Sequence, residues 1–301
     1  MKKWILLLFI GGFLNQAFAQ LKMTKQAEGL LITEKGKKVL FYQVKPRSQD
    51  GKFERCNYIH PLWGIDGFIL TEDFPADHLH HRGIFWAWHQ VWIGGKRIGD
   101  PWEIKDFSQE VVNTEFSNQK GGSGLLTTEV VWKSPLWTKD GVQKPYLKEN
   151  SEIRIHPAKG NSRRIDFTIN LLALENNLTI GGSQDVKGYS GFSVRVKLPE
   201  DVVFSGKDGI VKPQNEAVAS PGFINFSGSM TGGGKKAGVC IVDHPENPGY
   251  PQKWILRAKN SMQNAAWPGN TTVPVPTDKP LQLKYSLIVY LGEFPDKMVA
   301  Y

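Results

Sequence analysis

Leu30-Leu31-Ile32-Thr33 and Val39-Leu40-Phe41-Tyr42 flank Glu34-Lys35-Gly36-Lys37. Two short runs rich in β-branched and aromatic side chains, joined by a charged, glycine-bearing turn, read as a β-hairpin. The same grammar continues along the chain. Strands are expected over Leu125 to Trp132, Ser151 to His156, Arg164 to Leu174, Phe192 to Leu198, Val202 to Phe204, Phe223 to Phe226, Ala237 to Val242, Trp254 to Ala258 and Leu281 to Leu291. Thr168-Ile169-Asn170-Leu171 and Ser193-Val194-Arg195-Val196-Lys197 alternate apolar with polar, the pattern of strands with one wet face. Outside the first twenty residues no window sustains a 3.6-residue period with caps. With 31 glycines and 18 prolines marking turns, the expectation is an all-β chain forming a large antiparallel β-sandwich. No internal repeat or low-complexity linker divides it, so residues 20–301 are read as one domain.

The N-terminus is expected to be removed. Lys2 and Lys3 precede an apolar run from Trp4 to Leu14, and Ala17-Phe18-Ala19 precedes Gln20. Positive charge, a short apolar core and small residues at 17 and 19 make a secretory signal peptide, cut after Ala19. The mature chain then lies in a periplasm or outside the cell. No later stretch is long enough to span a bilayer, so no integral membrane segment remains after cleavage. Formal net charge is +8, and about +6 without the two leader lysines. Basic residues are interleaved with acids, which argues against nucleic acid and for solubility or anionic substrates. An oxidising compartment permits a Cys56–Cys240 disulfide, but spacing does not decide it.

Five of the seven histidines fall between His60 and His89. The stretch runs through His60-Pro61, Asp73-Phe74-Pro75-Ala76-Asp77-His78-Leu79-His80-His81-Arg82-Gly83 and Phe85-Trp86-Ala87-Trp88-His89. In a regular strand His78 and His80 share a face and His81 points away, whereas a loop could gather them. Imidazoles there could act as general acid or base, ligate a metal with Asp73 or Asp77, or pack against tryptophans. The metal is left unassigned, and no sequence motif names a cofactor. Arg82 can clamp a carboxylate, on a substrate or internally. Beyond Gly83, Trp86, Trp88, Gln90 and Trp92 fall on one strand face, either a sugar-stacking platform or a sandwich core. His89 falls on the opposite face and is set aside. Two distant segments add Asp185 and Lys187, in a glycine-rich approach to a strand, and His244, in Asp243-His244-Pro245. The glycine-rich stretch lacks the lysine ending and following helix of a phosphate loop. No serine nucleophile elbow or Cys–His signature is present.

Tyr58-Ile59-His60-Pro61-Leu62, Asp73-Phe74-Pro75 with Asp77-His78-Leu79-His80-His81-Arg82-Gly83, and Asp243-His244-Pro245 with Asn247-Pro248 together resemble the PmoA-like family of secreted bacterial proteins. The resemblance covers nearly the whole mature chain. It implies a supersandwich similar to that of galactose mutarotase, with a sugar-binding groove lined by His, Arg, Asp and Trp. His60, His80, His81 and Arg82 match the motif. Asp185-Val186-Lys187 matches a weaker one that typically reads Asp-Thr-Lys. The expected activity is acid–base chemistry on a carbohydrate or sugar derivative: epimerisation, elimination or hydrolysis. His80 or His81 would be the acid or base, with Asp185 as its carboxylate partner. His60, Arg82, Lys187 and His244 would bind substrate, and Trp86 or Trp88 would stack on it. The alternatives are a non-catalytic glycan-binding module and a metal-dependent oxygenase, as the family label suggests. The partner is a small molecule or a glycan, and the oligomeric state is left open.

Overall fold

The computed structural model describes residues 21–259 and 262–300. The expected leader and its cut after Ala19 lie outside the described residues. Among those described there is no α-helix, only two short 3-10 turns, and no helix long and apolar enough to cross a membrane.

Two nine-stranded antiparallel sheets form the sandwich. The first runs, in spatial order, Leu21–Lys25, Gly29–Glu34, Lys37–Gln43, Tyr58–Leu62, Ile84–Trp88, Ser190–Val194, Gln263–Ala266, Lys253–Ile255 and Val218–Ala219. The second runs Ser108–Asn118, Gly124–Lys139, Val142–Ile155, Ser162–Ala173, Leu281–Leu291, Ala237–Asp243, Phe223–Gly228, Val203–Gly206 and Gly209–Ile210. A four-stranded sheet (Thr272–Pro274, Leu178–Gly181, Gln90–Ile93, Lys96–Gly99) and a hairpin (Arg47–Gln49, Lys52–Arg55) complete the fold. The hairpin read from the sequence is present, with Gly29 opposite Gln43 and Glu34 opposite Lys37.

The two sheets differ in how they meet water. Along Ser162–Ala173 burial alternates, with Ile165, Phe167, Ile169 and Leu171 inside. One face is dry and one wet, as the sequence predicts there. Ile84–Trp88, Ser190–Val194 and Gln263–Ala266, central in the first sheet, are buried at every position. The wet face expected over residues 193–197 is therefore wrong at two positions: Ser193 is fully buried and Arg195 is only 2% exposed. Something covers the outer face of this sheet.

On its inner face, Trp86 stacks on Phe192 (6.3 Å between centroids), which packs on Phe167 and Tyr285 of the second sheet. Trp88 meets Trp132 of the second sheet, and its indole N–H donates to Trp267 O. A polar tie crosses this core. Asn57 accepts from Tyr42 Oη and donates to both oxygens of the fully buried Glu149, which also accepts from Trp132 and Ser151. Burial pushes the Glu149 carboxyl up, and hydrogen bonds from three side chains offset part of that cost. The Cys56–Cys240 pairing is not made; both are free and buried. Cys56 lies against Gln109 O, while Cys240 sits in a separate apolar cluster with Val242 and Ile288. Burial raises both thiols, Cys56 to about 12.

The outer cover is made by two excursions, residues 63–83 and 100–106. The first leaves after Tyr58–Leu62 and returns through lone bridges at Thr71–Val196 and Asp73–Arg82. Gly83 lets it return: its φ is +32°, and a Cβ there would lie 2.0 Å from Ile59 O. No side chain fits that approach.

Candidate functional site

Beneath the cover, Tyr58, Phe85, Ala87, Trp102 and Met262 form a small apolar cluster separate from the inter-sheet core. Trp102 is its centre, 5.7 Å from Phe85, 5.5 Å from Tyr189, 5.4 Å from His89 and 6.4 Å from His81. The histidines gather here because residues 75–81 are consecutive turns, not a strand: His78 N donates to Pro75 O and His81 N to His78 O. A three-residue advance per turn places His78 and His81 face to face, 4.5 Å apart and nearly parallel. His80 meets His81 edge-on at 4.5 Å.

Each ring has a different partner. His78 Nδ1 donates to Asp77 Oδ2 at 2.7 Å, and His89 Nδ1 to Asp100 Oδ2 at 3.0 Å. Asp100 in turn closes its own turn by accepting from Glu103 N. Arg195 forks onto Asp77 at 2.8 and 3.1 Å, holds Glu72 at 2.8 Å, and reaches His81 Nδ1 at 3.2 Å. A guanidinium only donates, so His81 Nδ1 accepts and its proton sits on Nε2. Burial, then repulsion from His80, His78 and Arg195, keeps His81 neutral, with its pKa far below that of a free imidazole. Burial works against Asp77, but bonds from His78 and Arg195 hold its carboxyl below the usual range.

His80 Nδ1 lies 3.5 Å from Glu103 Oε2, longer than a good hydrogen bond but close for a charge pair. Burial, with repulsion from His78, Arg55 and His89, lowers His80 to about 4. Burial raises Glu103. At neutral pH His80 is an unprotonated imidazole beside a carboxylate.

Two buried arginines behave differently. Arg82 is consumed internally: it pairs with Asp73 at 3.0 Å, donates to Arg47 O and Phe53 O, and lies 3.2 Å over Phe74. Asp73 is shared with Arg47 and Tyr58. Arg82 therefore takes the internal of its two expected roles and has little left for a substrate. Arg55, 2% exposed, lies between Phe85 and Phe107 and donates to Pro101 O. Its Nε and Nη1 have no acceptor among the described residues. Burial and the nearby Arg82 lower it to about 9. Phe53, two residues earlier in the same strand, lies 6.4 Å from the His80 ring. The Arg55 charge is close enough to His80 to help lower its pKa.

The remaining candidates are dispersed. His60 binds Thr71 Oγ1 at 2.9 Å and lines a separate groove of about 290 Å³ with Arg47 and Trp63; burial lowers its pKa. Asp185 does not partner His80 or His81: its Oδ1 accepts from Ser183 Oγ, Lys187 N and Gly188 N, closing its own turn. Lys187 lies 5.9 Å over Tyr189 and 3.9 Å from Asp185. Trp86 and Trp88 face the inter-sheet core, so neither is placed to stack on a ligand. His244 follows Ala237–Asp243 of the second sheet, where it accepts from Glu246 N. Sequence reading did not single out Arg195, Arg55, Trp102 or Glu103, and it set aside His89, which the structure places against Trp102 and Asp100. A fully internal Arg has no local signature, but Phe85-Ala87-His89 could have been weighed equally with the tryptophan face.

Among the described residues no three His, Cys, Asp or Glu side chains are arranged to hold a metal ion. The chain belongs to a family of unknown function (DUF6807), whose model matches residues 30–300, and that match carries no PmoA name. No curated protein matches the chain.

Proposed function

We propose that this DUF6807 member is an exported enzyme that moves a proton on a carbohydrate or sugar derivative, with His80 as the base. The observation that carries the reading is the setting of His80: a neutral imidazole 3.5 Å from the Glu103 carboxylate and within electrostatic reach of the incompletely satisfied Arg55 guanidinium. The sugar class rests on the resemblance of the motifs, and export on the leader.

Proton abstraction next to a carbonyl fits this setting better than hydrolysis, because a neutral base and a cation act in the same neighbourhood. His80 takes the proton from carbon, and the electron pair moves onto the carbonyl oxygen. Arg55 supplies free N–H donors toward that developing negative charge. Glu103 stabilises the imidazolium that forms. A proton delivered from solvent to the opposite face of that carbon, with the proton on His80 lost to solvent, gives an epimer, and loss of a group from the neighbouring carbon gives an eliminated product. His81, locked with its proton on Nε2, is a donor that stays neutral throughout. A positioned base contributes about 10²–10⁴-fold to such a step.

The test is incubation in D₂O with ketoses, aldonates and uronic acids, read by proton NMR. Wild type should place deuterium on carbon in one of these classes, and His80→Ala should lose the exchange at least about 100-fold with its melting temperature nearly unchanged. No exchange with any class, or full exchange in His80→Ala, overturns the reading.

A further inference from the structure

Trp86, Trp88, Gln90 and Trp92 read as one face of one strand, but the fold breaks that strand at His89. Ile84–Trp88 lies in the first large sheet, and Gln90–Ile93 lies in the four-stranded sheet. The break changes where the row looks. Before it, Trp86 and Trp88 fill the inter-sheet core. After it, Val91 and Ile93 go to the core, with Leu178 and Ile180 of the neighbouring strand. Gln90 and Trp92 therefore lie on the opposite, outer face of the small sheet. Thr179 is directly opposite Trp92, and Gly181 is opposite both Gln90 and Thr272.

Trp92 is half-buried and belongs to none of the apolar clusters. No other aromatic ring packs on it among the described residues. Its indole is nonetheless fixed. Trp92 Nε1 donates to Gln90 Oε1 at 3.1 Å, and Gln90 Nε2 donates to Gly182 O at 2.7 Å. Both ends of the Gln90 amide are spent in this relay, so Gln90 positions the ring and offers nothing to a ligand. A ring held in place beforehand loses little freedom on binding.

Trp92 lines a cleft of about 840 Å³, in the upper part of the roughly 300–1,000 Å³ of small-molecule sites. Asn177, Gln184, Asn270, Thr271 and Thr272 stand exposed around it, and Thr179 is partly exposed. The side chains of Asn177, Thr179, Gln184, Asn270 and Thr272 make no hydrogen bond among the described residues, so they are open to a ligand. No charged side chain lines the cleft, although Asp, Glu, Lys and Arg make up 22% of the chain. Arg97, in register beside Trp92, is drawn off to His89 O and Asp100 Oδ2.

This lining selects its occupant. Side-chain amides and hydroxyls both donate and accept, as sugar hydroxyls do. The single ring among them suits the C–H face of a pyranose. A charged chain finds no countercharge in the walls, and a protein partner would need a larger apolar centre than one indole. The exposed rim fits a short run of sugar units rather than one enclosed unit.

We propose that the outer cleft at Trp92 binds a neutral oligosaccharide, with one pyranose stacked on the indole. None of its lining residues belongs to the His80 site, so it goes beyond the catalytic reading and does not depend on it.

The experiment is calorimetric titration of the full chain with maltohexaose, cellohexaose, xylohexaose and mannohexaose, with hexagalacturonate as the charged comparator. At least one neutral hexaose should bind, and hexagalacturonate at least about tenfold more weakly. Trp92→Ala should weaken the neutral binding at least about tenfold, with cooperative unfolding retained. Thr179→Val keeps the shape and removes one hydroxyl, and should weaken it about threefold. It serves, with Asn270→Ala on the exposed rim, if Trp92→Ala does not fold. His80→Ala should bind the hexaose as wild type does. If wild type binds a hexaose at Trp92 but exchanges no deuterium, only the catalytic reading falls. Absence of binding by every neutral hexaose overturns the proposal. So do unchanged binding in the folded cleft variants, Trp92-dependent binding of hexagalacturonate as tight as that of the neutral chain, and loss of binding in His80→Ala.

Discussion

The two faces of the strand Ile84–Trp88 are both buried, for opposite purposes. Inward, Trp86 and Trp88 fill the space between the sheets with rings stacked on rings. Outward, Phe85 and Ala87 lie under two excursions of chain, in a region that gathers four histidines, the arginines Arg55, Arg82 and Arg195, and several carboxylates. The inner face is apolar apart from the Glu149 tie, and it carries no charge but that carboxyl, although Trp86 Nε1 and Tyr146 Oη find no partner among the described residues. The outer face carries charges that the fold only partly satisfies. Arg82 is held by Asp73 and two backbone carbonyls and leaves only Nε unpaired, whereas Arg55 leaves both Nε and Nη1 unpaired among the described residues. In one sheet, residue parity separates the core from the chemistry.

Substitutions on the two faces should therefore part stability from activity. The largest effect belongs to the inner face: Trp88→Ala should cost about 3–5 kcal/mol in urea unfolding, and a loss under 1 kcal/mol would erase the contrast. Next is acid. His80 has a folded value near 4 against 6.5 for a free imidazole. Below pH 6.5 the unfolded chain takes up a proton that the folded chain refuses, so stability falls from pH 6.5 to about 4 and this contribution then levels off. The limit is about 3 kcal/mol, and His81 acts in the same direction. A His80→Gln variant should show a shallower decline over that window; an identical decline would mean that the ring is not held neutral. Third, Arg195→Met should cost about 2 kcal/mol, at the low end for a broken pair because Asp77 and Glu72 can rehydrate. It should also free His81 from its fixed tautomer, seen as a changed imidazole nitrogen spectrum. The smallest effect is expected at Asp185→Ala: under about 1 kcal/mol, with deuterium exchange within twofold of wild type. A large loss of exchange there would restore Asp185 to the site.

What the chain reveals about itself divides along the same line. The hairpin at residues 29–43, the alternation of Ser162–Ala173 and the strand Leu281–Leu291 are legible because each is local: turn chemistry, period and β-branched content agree. The histidine segment is legible as a cluster for the same reason. Its face is not, because alternation separates two faces without saying which one looks at the second sheet. Ser193 and Arg195 read as solvated because nothing nearby in sequence announces that residues 72–81 will fold over them. Asp185 is the opposite case: Ser183, Asp185 and Gly188 form a self-sufficient turn, a reading available locally and outweighed by the search for a carboxylate partner.

The central claim is that the outer face keeps His80 as a neutral base. Nitrogen-15 NMR of the histidine side chains, with His80 assigned by its absence in His80→Gln, tests it most directly. The account predicts that the His80 ring stays unprotonated down to about pH 4. A ring that protonates at 6.5 or above would contradict it.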